Sequence, residues 1–94
     1  MNETQRASIE RTMREIDELL AQRQGFNQAY REWRERAMAQ LREELGDELV
    51  EELEQKGPRQ TPINRQHRVH IFRQRLHAQQ RFLQELLERE GISS

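Results

Sequence analysis

The stretch FNQAYREWRERAMAQLREELGDELVEELEQKGP, residues 26–58, decides how the chain is read. Phe26, Tyr30, Trp33, Ala37 and Leu41 recur four, three, four and four residues apart, and Leu45 extends the row. That spacing follows the α-helical repeat and places all six on one buried stripe, with arginine and glutamate between them on the solvated side. Gly46-Asp47 then offers two readings. Either one helix ends and Asp47 caps a short segment bearing Leu49, Val50 and Leu53, or a single long helix runs from Phe26 to Gln55. KGPRQTP, residues 56–62, is the clearest break, because Gly57 can close a helix and Pro58 cannot continue one.

The same pattern extends outward in both directions. Toward the N-terminus, Ile9, Met13, Ile16 and Leu20, widened by Leu19, form a stripe on a helix expected from about Thr4 to Gln24. Asn2 or Thr4 can serve as its N-cap, and Gly25 suits the break that follows. Toward the C-terminus, Thr61-Pro62 resembles an N-cap followed by proline at the first helical position. This predicts a helix from about Pro62 to Glu90, stopped at Gly91 and about 40 Å long. Val69, Phe72, Leu76, Leu83 and Leu86/Leu87 form its main stripe, while Ile71, Ala78 and Phe82 form a second, narrower one. A helix with two apolar strips contacts two neighbours, as in a bundle or an oligomer. Gln79 interrupts the main stripe, where a polar residue either fixes register or sits at the margin and reaches solvent.

No sustained alternation signals a strand. The expectation is therefore an all-α fold over residues 1–94. It is a small bundle of three main amphipathic helices, about 4–24, 26–45 and 62–90, with a possible short helical segment at 47–56 and a loop at 57–61. With 94 residues, 33% of them hydrophobic, and a mean hydropathy of −1.18, the apolar supply is thin for a chain that must close its own core. Pairing with a second copy relieves that shortage, so a dimer is expected.

Charge is unevenly distributed. The net charge is −1, with seventeen acids against sixteen bases. Residues 42–56 are strongly acidic and residues 57–94 are basic. If these segments pack antiparallel, Glu48, Glu51, Glu52 and Glu54 would face Arg65, Arg68 and Arg73. The basic helix also offers a way to follow phosphates, through Arg65, Arg68, Arg73, Arg75 and Arg81. Against that role, a dedicated nucleic-acid binder is expected to be basic overall.

Chemistry-bearing motifs are sparse. His67 and His70 share a helix face, but His77 lies about 10.5 Å beyond His70 and the sequence contains no cysteine, so no metal site is expected. The closely spaced acids of REELGDELVEELE lack the alternating ligands and central glycine of an EF-hand. No serine sits in a nucleophile elbow and no glycine-rich phosphate loop exists. Neither an enzyme nor a cofactor is expected. No run of apolar residues approaches the ~18–20 needed to span a bilayer, and the N-terminal residues have no apolar leader core. The expected location is cytoplasmic.

The leading functional expectation is a non-enzymatic helical protein–protein interaction or assembly module. Its partner would be a second copy of itself or another helical protein, engaged through Trp33, Ile71 and Phe82. The second expectation is a nucleic-acid-binding accessory protein using the basic helix 64–81.

Overall fold

In a computed structural model describing residues 2–93, with side chains for residues 2–89, the chain is all-α and folds into four helices. They are α1 (Glu3–Ala21), α2 (Phe26–Leu45), α3 (Asp47–Glu54) and α4 (Arg65–Ser93). No strand occurs among the described residues. The body measures 45 × 21 × 21 Å. None of its helices is long and apolar enough to cross a membrane.

Helix α1 begins with a full capping box. The Asn2 side chain accepts from the Gln5 backbone N–H at 2.8 Å, and Gln5 Oε1 accepts from the Asn2 backbone N–H at 3.1 Å. It ends at Ala21, and Gln22 to Gly25 turn the chain into α2. Gly25 takes a left-handed conformation (φ 65°) immediately before Phe26. α1 and α2 run antiparallel. Gln5 Nε2 at the start of α1 donates to the Glu44 carbonyl at the end of α2, and Trp33 Nε1 donates to Glu15 Oε1 midway along.

At Gly46 the chain bends, with φ 94° and ψ 162°. This geometry excludes the continuous helix from Phe26 to Gln55. Gly46, not Asp47, is the N-cap of α3, and Asp47 begins the helix. α3 folds back so that Glu54 reaches Arg34, with 3.5 Å between Oε1 and Nε. Residues 55–64 then carry the chain to α4.

That connection is longer than the sequence predicts. α4 starts at Arg65 rather than Pro62, because Asn64 supplies the cap: its Oδ1 accepts from the His67 backbone N–H at 2.8 Å. His67 Nδ1 in turn accepts from the Ile63 backbone N–H at 3.1 Å, and the pair closes the first turn from both sides. At its far end α4 continues through Gly91 to Ser93. A glycine inside a helix weakens it without always ending it.

The core is one cluster to which all four helices contribute. Tyr30 stacks on Phe72 with ring centroids 4.3 Å apart, and Phe26 and Trp33 flank Tyr30 along α2. A stacked pair adds about 0.5–1.5 kcal/mol beyond its buried area. The two predicted strips of α4 form one broad face in the structure, lying against α1, α2 and α3. Along the Phe82 edge, Lys56 Nζ sits 4.9 Å from the Phe82 centroid and Arg75 Nε donates to the Pro58 carbonyl at 2.8 Å.

Candidate functional site: an arginine-lined groove

The residues expected to meet a partner lie inside the chain. Trp33 is 3% exposed, Ile71 1% and Phe82 5%. In the single chain they belong to the core cluster, enclosed by its own helices. The second strip of α4 has a neighbour within the chain in Lys56, whose Nζ lies beside the Phe82 ring. Among the described residues the one exposed large hydrophobic side chain is Ile63.

The predicted pairing of the acidic segment with the basic helix is also absent. No ion pair joins Glu48, Glu51, Glu52 or Glu54 to Arg65, Arg68 or Arg73 among the described residues; Glu54 pairs with Arg34 of α2 instead. α4 packs against α1 on this side. Arg73 Nη1 and Nη2 donate to the carbonyls of Leu20 and Gln22 at 3.0 and 3.1 Å, and its guanidinium lies 5.0 Å from the Phe26 ring centroid. Arg73 thereby satisfies carbonyls at the C-terminal end of α1, which holds no basic residue in its last turn. Gln80 continues the seam, donating to Met13 O and Asp17 Oδ1.

The remaining arginines of the basic helix separate by role. Arg75, half-buried, is spent on the Pro58 carbonyl and on the Phe72 ring, 5.7 Å away. Arg81 is exposed and lies away from the groove. Arg65 and Arg68, with Arg73, line an open groove of about 590 Å³ between the α1–α2 turn and the start of α4. Val69 adds to the α4 wall, and Arg23 and Arg31 complete the lining from the other side with Gly25, Phe26, Asn27 and Gln28. Five arginines thus line one groove whose lining contains no carboxylate. Arg23, Arg31, Arg65 and Arg68 make no hydrogen bond or ion pair with side chains among the described residues.

The groove is composite, and this is why only part of it is visible in the sequence. Arg23 lies in a turn, Arg31 one turn into α2, and the other three arginines more than thirty residues later. The usable signal was the run of arginines at the start of α4; its complement across the groove carries no motif. Each arginine can present its planar fork of N–H donors to a carboxylate or phosphate. The lining supplies fixed positive charge and donors, with no hydroxyl, imidazole or carboxylate to move a proton.

The histidines stand apart from this site. His70 and His77 are exposed, and His67 Nδ1 is occupied by the Ile63 N–H. Among the described residues no group of three His, Asp or Glu side chains is placed to hold a metal ion. No protein-family model matches the chain, and neither the curated proteins nor the solved structures provide a match.

Proposed function

We propose that the chain is a non-enzymatic docking module that holds an anionic, phosphate-bearing partner in the arginine-lined groove. One observation carries the reading: five arginines converge on a groove without a carboxylate, in a chain whose net charge is −1. In such a protein the cationic side chains are normally dispersed among acids or paired with them. Elsewhere on this surface several are paired with acids, as in Arg11–Glu44, Arg34–Glu54 and Arg42–Asp47. This reading keeps the interaction role expected from the sequence. It moves the contact from the apolar residues Trp33, Ile71 and Phe82 to Arg23, Arg31, Arg65, Arg68 and Arg73.

Retention on phosphocellulose tests it. A protein of net charge −1 with unfocused charge passes through; one with a focused cationic groove is retained at low salt and released as salt screens the contact. R65Q/R68Q is expected to elute at clearly lower salt than the wild type, and R36Q, outside the groove, to elute with it. Passage of the wild type through the column at low salt contradicts the proposal.

A further inference from the structure

The groove has an electrostatic setting that the fold compensates only in part: Arg73 meets the Leu20 and Gln22 carbonyls and Asn64 caps α4, while the start of α2 has no such partner. Two helices begin at its walls. α2 opens into it through Gly25 to Gln28, with no side-chain cap and no acid in its first turn. α4 opens beside it, also with no acid in its first turn, and sets Arg65 and Arg68 there instead. Helix N-termini carry partial positive charge and ordinarily attract aspartate or glutamate. Here both positive ends and five guanidinium groups share one space, and the backbone N–H groups opening α2 are the kind that bind phosphate oxygens. At the start of α2 and at Arg23, Arg31, Arg65 and Arg68 no side chain among the described residues supplies the compensating charge, which points to a group outside the chain.

On the α2 side the all-basic lining gives way to mixed charge. The neighbouring depression on α2 shares Arg31 but contains Glu35 and Glu54, and its Arg34 and Arg42 pair with Glu54 and Asp47. A strand of nucleic acid leaving the groove in that direction would pass over carboxylates. The groove's volume, about 590 Å³, falls in the ordinary range for small-ligand sites. Resting on the reading of this groove as an anion site, we infer that its ligand is a compact group of two or three linked phosphates. Arg73, fixed by the Leu20 and Gln22 carbonyls, gives a preset charge beneath it. Arg23, Arg31, Arg65 and Arg68 are free to close around it.

Isothermal titration calorimetry with tripolyphosphate, orthophosphate and a 5′-hydroxyl oligothymidylate tests the inference. Tripolyphosphate is expected to bind one to one, at least about tenfold tighter than orthophosphate and tighter than the oligonucleotide. R65Q/R68Q and, separately, R23Q/R31Q are each expected to weaken it about tenfold or more, with the thermal melt of the free protein no lower than that of the wild type. The two pairs approach from opposite walls, so misfolding of one leaves the other as a test. ATP forms a second arm: equal affinity shows that the free polyphosphate suffices, and tighter binding identifies a nucleotide. An oligonucleotide that binds more tightly than tripolyphosphate, with affinity rising with length, overturns the compact ligand and leaves the anion-docking module standing. If none of the anions binds, both readings fall. Unchanged affinity in both arginine pairs places the ligand elsewhere and overturns the site.

Discussion

Gly57 and Gln79 show how single positions hold this fold. Gly57 has φ 90°, and a Cβ there would stand 2.7 Å from the Arg75 Cα, against backbone that cannot swing aside. Gly46 has a similar φ of 94° with open space around it. Gly57→Ala and Gly46→Ala share the backbone strain, of order 1–3 kcal/mol, and differ in the clash. Urea unfolding is expected to show Gly57→Ala as the more destabilised of the two; equal losses would mean that the contact with α4 does not constrain the loop. Gln79 is 2% exposed, and its Oε1 is buried without a hydrogen-bond donor. It does not reach solvent from the margin of the stripe. An unsatisfied buried acceptor costs about 1–3 kcal/mol, and methionine fills a similar volume without one. Gln79→Met is therefore expected to raise the urea midpoint, and a lowered midpoint would show that the amide contributes a contact in solution. Sequence periodicity located Gln79 on the seam; only packing decides whether such a residue turns in or out.

At the scale of elements, the apolar spacing marked every helix, and the local chemistry decided their ends. The stripe from Phe26 to Leu41 is buried, as its spacing predicts. α1 differs in detail: Ser8 and Thr12 are buried beside Ile9 and Ile16, while Met13 and Leu20 are half-buried. Small hydroxyl residues give no apolar signal, yet Thr12 fits because its Oγ1 donates to the Ser8 carbonyl at 2.8 Å. The start of α4 shows a competition between caps. Thr61-Pro62 is a plausible signal, but Asn64 lies three residues before His67 and its carboxamide takes the His67 N–H. Asn64→Ala is expected to destabilise the protein by about 1 kcal/mol in thermal or urea unfolding, whereas Thr61→Ala is expected to change little. The reverse order would place the helix start at Pro62. Because Arg65 and Arg68 stand on the turn that Asn64 caps, this cap also sets one wall of the groove.

For the whole molecule, thin apolar composition favours a dimer, whereas the helices of the single chain already enclose one core cluster. α3 is short, but it packs against both α2 and α4, and the described residues bury sixteen hydrophobic side chains in one cluster. Light scattering is expected to return the mass of a single chain, 11.4 kDa; twice that mass would mean that contacts outside the described core drive assembly. The binding site belongs to this scale as well. Three of its five arginines were legible as a basic run, and the other two only join them once α1, α2 and α4 are packed. That assembled groove is predicted to receive phosphate. Amide shifts of the ¹⁵N-labelled protein during titration with tripolyphosphate test this most directly. The predicted changes centre on residues 25–28 and 65–69 and leave the Trp33 indole and α3 unmoved; shifts centred on α3, spread evenly over the chain, or absent altogether would contradict it.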